Sequence, residues 1–415
     1  MKVRELTVTN YRGFAGEHRF KLSDRFTVIA GINGRGKSSL LDGLALLLAR
    51  LLRALALSAG NQRTISARDV HAGQEESSLA ILASCAGIPV NYNVDFSPGA
   101  RRVRGRRLPN VVRDQIRANY GDPNRDDDEA PVAVYFTTDR AGYRLPRTLP
   151  LELPTGQRLA HHGALSNRMV DYRDLMARYR LWTVQRRSAE LDAFNQVLNT
   201  FLAGFSEVAV EERPLLLTVK KAGARLSLQQ LSDGERAFIA MLGDLVRRLA
   251  LANPDLGNPL HGHGVVLIDE LELHLHPRWQ REVVEKLRSS FPNVQFIATT
   301  HSPFIIQSLR PGELIALDPE FDRPAEYANR SVEDIAENVM GVEVPQKSER
   351  YLEMMRAAEE YYRLLRRSGA TAADAVAAED RLNELSIRYS DDPAFQALLK
   401  LEREAKQAGG GNAAR

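Results

Sequence analysis

Apolar residues fall along this chain in two rhythms. Phe26-Thr-Val-Ile-Ala30, Pro131-Val-Ala-Val-Tyr-Phe-Thr137 and Val265-Val-Leu-Ile268 are short, almost unbroken β-favouring runs. Runs of this kind predict strands covered on both faces, as in a parallel sheet. Residues 2–8, Lys-Val-Arg-Glu-Leu-Thr-Val, alternate instead and read as an edge strand; a turn at Tyr11-Arg-Gly-Phe14 and a strand at 18–21 follow. Residues 39–49 predict a helix, 62–100 short strands and turns, and 109–119 a second helix. The polar stretch 121–129 reads as a mobile loop, 138–167 as irregular chain, and 168–204 as one or two helices. A strand pair is expected at 207–220 and 225–228, then a helix from 231 to about 251. Strands at 264–269, 294–299 and 313–317 alternate with helices at 277–290 and 303–309, the pattern of a largely parallel α/β sheet. Beyond 330 the pattern is helical, near 346–367, 372–389 and 392–407, and the tail 409–415 is disordered by composition. No internal repeat or sustained heptad is visible.

Composition narrows this picture only a little. A length of 415 residues suggests two or three domains, and 44% hydrophobic with 26% charged residues is ordinary for a soluble globular protein. The net charge of +3 is too small to imply nucleic-acid binding, but five arginines crowd into Arg101-Arg-Val-Arg-Gly-Arg-Arg107. They would track phosphates of DNA or RNA, although no aromatics interleave for base stacking; a solvated basic loop is the competing reading. The single cysteine, Cys85, sits in an apolar run, reads as a buried small hydrophobe and fits a reducing, cytoplasmic setting. There is no signal-peptide pattern, and Asp42, Arg50 and Arg53 interrupt the longest apolar run, Leu40 to Leu57, so no membrane span is expected.

Candidate chemistry changes the picture more. Gly31-Ile-Asn-Gly-Arg-Gly-Lys-Ser38 matches G-x-x-x-x-G-K-[ST] between a predicted strand and a predicted helix, the context that a phosphate-binding loop requires. Glycines at 31, 34 and 36 allow backbone N–H groups to converge on one anion, and the N-terminus of the following helix adds its dipole. Asn33, Gly34, Arg35, Gly36, Lys37, Ser38 and Ser39 are therefore the expected ATP contacts, with Lys37 on the β/γ-phosphates and Ser38 on Mg²⁺. Val265-Val-Leu-Ile-Asp269-Glu270 supplies a carboxylate pair closing a buried strand: Asp269 for Mg²⁺, Glu270 to polarise the attacking water. In Leu231-Ser-Asp-Gly-Glu-Arg236, Ser232 and Glu235 have capping-box spacing and Gly234 permits close backbone approach. His274 and His276 form an H-x-H pair beside acids, without the helix spacing or cysteines of a dedicated zinc site. Asp139-Arg140 ends a buried-type strand; Arg140 either enters the cleft or lies on the surface.

Taken in order, the glycine loop, Leu-Ser-Asp-Gly-Glu, Val-Val-Leu-Ile-Asp-Glu and Phe296-Ile-Ala-Thr-Thr-His301-Ser-Pro resemble the ABC-ATPase motif series. Asn10-Tyr-Arg-Gly-Phe14 and the signature variant resemble the SMC/RecF-like branch. Ile268-Asp-Glu-Leu-Glu-Leu-His-Leu-His-Pro-Arg-Trp-Gln280, with the His301 block, is similar to bacterial AAA-type ATPases of OLD-like and Septu-type anti-phage defence systems. The likeness is strong over 1–50 and 226–310. It implies an α/β fold: a P-loop NTPase of ABC-ATPase type with a mixed sheet, an inserted middle region and C-terminal helices. Residues 1–76 and 206–320 would be the two parts of the ATPase core, 77–205 an inserted lid or arm, and 321–415 a helical docking region.

The resemblance also assigns roles. His301 would sense the γ-phosphate, and Ser232, Gly234 and Glu235 would belong to the signature that meets a neighbour's ATP. Arg12 would touch the phosphates, and Gln74 would be a Q-loop residue facing Mg²⁺. It implies a homodimer, or a higher oligomer of dimers, that binds and hydrolyses ATP as sensor and scaffold for a separate nuclease effector. Tyr351, Leu352, Met355, Tyr361, Tyr362, Leu364 and Leu365 form an apolar-aromatic set that would hold the effector or pack on the core. The length after 320 leaves little room for a nuclease domain in the chain itself. The alternative is a RecF-like DNA-binding ATPase of repair or replication, and a binding module without hydrolysis comes third.

Overall fold

The computed structural model describes residues 1–58, 64–99, 102–105, 108–120, 129–142, 144–154, 156–166, 169–318, 329–342, 348–366 and 372–386. The chain divides into two compact units, 1–341 and 342–415.

The unbroken apolar runs become a five-stranded parallel sheet. Its members are β3 (Phe26–Ala30), β7 (Val132–Phe136), β11 (Gly264–Ile268), β12 (Val294–Thr300) and β13 (Leu314–Ala316), in the spatial order β13-β3-β12-β11-β7. Registers such as Ile268 opposite both Ala298 and Phe136 bring the carboxyl ends of neighbouring strands level. Successive residues of these strands serve opposite cores. Ile29, Ala133, Val265, Leu267 and Ile297 face one, and Val28, Val134, Val266, Ile268 and Phe296 face the other. Alternating orientation, with both faces covered, is why the runs contain no polar breaks.

The first core is a sandwich with a second, antiparallel sheet in the order β2-β1-β4-β5-β6, built from β1 (Lys2–Tyr11), β2 (Phe14–Lys21), β4 (Ser77–Cys85), β5 (Ile88–Ser97) and β6 (Arg102–Gly105). Helix α1 (Lys37–Ala54) lies between the two sheets and buries leucines on every side, among them Leu40, Leu41, Leu44, Leu47, Leu48 and Leu51. α2 (Asn110–Tyr120) closes this layer with Ile116 and Tyr120.

The other core lies under α3 (Tyr172–Gln185), α4 (Ser188–Phe201), α5 (Asp233–Ala252) and α6 (Pro277–Ser290), together with the small antiparallel sheet β10-β9-β8 (Ala224–Ser227, Leu215–Lys221 and Phe205–Glu212). α7 (Pro303–Gln307) and α8 (Val332–Asn338) pack near the end of β3 through Ala30, Ile306, Ile335 and Val339. In the second unit, α9 (Glu349–Arg366) and α10 (Ala372–Ser386) form a pair joined by Met354, Ala357, Ala358 and Leu382, with Tyr351, Met355, Tyr361 and Leu385 around them. No helix among the described residues is long and apolar enough to cross a membrane.

Several expectations are corrected. The 2–8 strand is not at an edge: β1 pairs with β2 on one side and β4 on the other. Its alternation reports one covered face, and the second neighbour, β4, does not begin until Ser77. The stretch 62–100 holds two long strands turning at Ala86-Gly87, both at positive φ, rather than short ones. The strand expected over 207–220 is a hairpin, β8 and β9, broken at Arg213-Pro214. Part of the arginine run is strand: β6 pairs with β5, and Arg104 is exposed on it. The helix expected at 392–407, the loop at 121–128 and the tail lie outside the described residues.

Candidate active site

The site sits at the carboxyl ends of the parallel strands, where ligands of open α/β sheets bind. β3 runs into the glycine loop, whose Gly31, Gly34 and Gly36 all have positive φ. Gly36 has a further reason to be glycine: a Cβ there would lie 2.7 Å from Cε2 of Phe14. The Tyr11–Phe14 turn thus braces the phosphate loop with an aromatic edge. Gly36 caps α1 with no side-chain bond, leaving first-turn N–H groups for an anion. Ile32, Asn33, Gly34 and Arg35 form the exposed tip, and Ser39 is half-buried behind it. Lys37 folds back across the loop, donating from Nζ to Gly31 O at 2.7 Å and Ile32 O at 3.0 Å.

One strand beyond β12, β11 ends on the carboxylates. Ser38 Oγ donates to Asp269 Oδ1 at 3.1 Å, and Thr299 Oγ1 donates to the same oxygen at 2.6 Å. Thr299 Oγ1 in turn accepts the Glu270 N–H at 2.7 Å. Glu270 adopts φ +49°, a left-handed conformation that a side chain tolerates only when its surroundings enforce it. Glu272 accepts from Thr300 Oγ1 at 2.7 Å and from the N–H of His301, which holds the residue after β12 beside the acids. Ser38, Asp269, Glu270 and His301, spread over more than 260 positions, are brought together.

Two residues that the sequence reading missed or left open complete the frame. Asp318, just after β13 and almost wholly buried, accepts Ile32 N–H at 2.9 Å and binds Arg35 Nε at 2.6 Å. Arg140, from the single turn after β7, is buried rather than on the surface, and its guanidinium donates to the backbone oxygens of Thr137, Asp269 and Glu270. Burial lowers its pKa to about 10, against the pull of Asp269, Glu272 and Glu270. Burial likewise lowers Lys37, opposed by Asp318, Glu272, Asp269 and Glu270. The cleft is therefore rich in carboxylates around the Lys37 ammonium. The adjacent oxygens of Ser38 and Asp269 are hard donors that suit Mg²⁺.

The remaining expected site residues make hydrogen bonds outside this set. Arg12, at φ +49°, gives Nε to Asp69 at 2.8 Å and Nη1 to Asp42 at 2.6 Å. Burial works against its charge, but Tyr11, Asp42 and Asp69 outweigh that and raise its pKa. Gln74 lies exposed on a turn, its N–H donating to His71 O at 3.1 Å, outside the hydrogen-bonded group around Asp269. Ser232 and Glu235 form the expected capping box, and Glu235 also binds Lys221 at 2.7 Å. Gly234 lies against the loop after the acids: a Cβ there would fall 2.3 Å from His274 O. His274 is exposed at φ +62°, while His276 accepts the Arg278 N–H and caps α6.

Comparison with known proteins fits this geometry. Residues 26–307 match the family described as "AAA domain, putative AbiEii toxin, Type IV TA system". The chain is 34% identical over 224 residues to the Retron Ec83 probable ATPase of Escherichia coli, covering 53% of this chain and 40% of that one. It is 28% identical over 228 residues to the Septu protein PtuA of Bacillus mycoides, covering 52% and 32%. It thus spans well under half the length of these relatives. Among solved structures, the SmcHead bound to the C-winged helix domain of ScpA superposes with a TM-score of 0.51 at 17% identity, covering 76% of this chain and 94% of that one. The phosphate loop, the Asp269-Glu270 strand end and the His301 strand end all fall at or within the matched region, and the chain belongs to this AAA family, on a P-loop fold shared with SMC heads.

Proposed function

We propose that this protein is an ATPase that closes as a dimer around ATP. In this reading it is the sensor and scaffold subunit of a bacterial anti-phage system and controls a separate effector, a nuclease. The observation that carries the ATPase reading is the chain of bonds from Ser38, next to Lys37, through Asp269 and Thr299 to Glu270. The names of the retron and Septu relatives support the defence setting.

ATP would lay its phosphates on the N–H groups of Gly34 to Ser39, with Lys37 turning from Gly31 O and Ile32 O to the β/γ-oxygens. Mg²⁺, held by Ser38 and Asp269, would offset phosphate charge. Glu270 would accept a proton from the attacking water, and His301 would read the γ-phosphate. Ser232, Gly234 and Glu235 open α5 at a helix N-terminus that would face a second copy's ATP. The cytoplasm is the setting this chemistry suits, and α9–α10 is the surface offered to the effector.

Isothermal titration and steady-state hydrolysis test this. Replacing Lys37 with Ala should weaken ATP binding about 10- to 100-fold, the loss of one charge-assisted contact. Glu270→Gln should keep binding and lower kcat by about 10²- to 10⁴-fold. Unaltered turnover in Glu270→Gln would refute the assignment. Purification of the tagged chain with an associated nuclease supports the defence role. A chain that purifies alone and binds duplex DNA tightly favours the RecF-like reading, in which Arg104 and its neighbours contact phosphate.

A further inference from the structure

The most unusual group in the site is a cation that the catalytic chemistry does not use. Arg140 is 4% exposed, and the hydrogen bonds of its guanidinium run to backbone carbonyls, of Thr137, Asp269 and Glu270. A buried guanidinium is costly unless its donors are filled, so its placement needs a local cause. Topology provides one. β7 is hydrogen-bonded to β11, with Phe136 level with Ile268, and the ladder extends one step further through Asp269 N–H to Phe136 O at 2.8 Å. The turn Thr138–Ala141 then leaves β7 beside the end of β11 and delivers the guanidinium behind Asp269 and Glu270. Two nitrogens of one planar fork hold two successive carbonyls, at the peptide where the backbone turns to φ +49°. Thr299 Oγ1 holds the N–H of the same residue. Glu270 is thus gripped on both sides of its Cα, by groups that leave its carboxylate untouched.

We infer that Arg140 is a positioning residue for hydrolysis: it enforces the left-handed backbone at Glu270 and so aims the carboxylate at the attacking water. The inference rests on the reading of Glu270 as general base. A lysine keeps the charge but presents a point donor in place of a fork, and cannot bridge two carbonyls with fixed geometry. Displacement of a reacting group by about 1 Å costs on the order of 100-fold in rate. Among the described residues the hydrogen bonds of Arg140 do not reach the phosphate loop, so ATP affinity should be spared.

The test is a double-mutant cycle on the full chain, with kcat, KM and ATP affinity measured for Arg140→Lys, Glu270→Gln and the pair. Arg140→Gln serves as a second probe, able to reach one carbonyl only. The expected result is a fall in kcat of about 10- to 100-fold in Arg140→Lys, ATP affinity within about twofold of the parent, and no further fall when Arg140→Lys is added to Glu270→Gln. Full turnover in Arg140→Lys overturns the proposal, as does a loss that multiplies in full with that of Glu270→Gln. Parallel loss of ATP affinity, or failure of both Arg140 variants to fold, also overturns it, because Arg140 would then support the core and not the acid. If Glu270→Gln itself hydrolyses ATP normally, the assignment of the base falls instead.

Discussion

His161 is expected to make the fold sensitive to acid. It is buried beside Arg248, and neither ring nitrogen meets a hydrogen-bond partner among the described residues. Burial, then the Arg248 charge, lowers its pKa from 6.5 to about 4. The folded state thus holds fewer protons than the unfolded state between these values. Stability contributed by neutral His161 is complete above pH 6.5 and is lost as pH falls toward 4, by on the order of 3 kcal/mol. Urea unfolding of His161→Phe at pH 7 and pH 4.5 should show a smaller drop than the parent; an identical drop would assign the sensitivity elsewhere. Gly234 makes a second single-residue case. An added Cβ would strike a backbone oxygen 2.3 Å away, so Gly234→Ala should lower Tm despite alanine's advantage of about 1 kcal/mol in a helix. A rise in Tm would show that the His274 loop yields freely.

At the scale of elements, α5 depends on its start. Ser232 Oγ accepts the Glu235 N–H, and the Glu235 carboxylate accepts the Ser232 N–H. Ser232→Ala should cost about 1 kcal/mol of stability, and Ser232→Asp should recover most of it as a replacement cap. Equal losses in both, by chemical denaturation, would mean the hydroxyl serves something other than the cap. This box was legible in the sequence because both partners lie three residues apart. The parallel strands and the acid pair at the end of β11 were legible for a similar reason: burial on both faces writes an uninterrupted apolar run. β4 and β5 were harder, because Asn91, Asn93 and Asp95 on the outward side of β5 read locally as turn residues. Asp318 carried no recognisable local signal, and the end of a buried-type strand left Arg140 open between cleft and surface. Their partners are backbone atoms or loop residues 129 and 286 positions away, joined by strand order alone. Gln74 follows Lys37 by about the expected interval and lies three residues before β4, on a turn whose His71 bonds Arg12 O.

At the scale of the molecule, one chain supplies the phosphate loop, the acids and His301 at one end of its parallel sheet. Ser232 and the start of α5, besides capping that helix, would in the proposed dimer meet the ATP of a second copy. In that proposal ATP would act as the joint between two chains, and hydrolysis at Glu270 as its release. The most direct test is the mass in solution of Glu270→Gln, by light scattering, without nucleotide and with saturating ATP and Mg²⁺. The account predicts a shift from monomer to dimer on adding ATP, reversed by Lys37→Ala. A Glu270→Gln protein that binds ATP yet remains monomeric would contradict it.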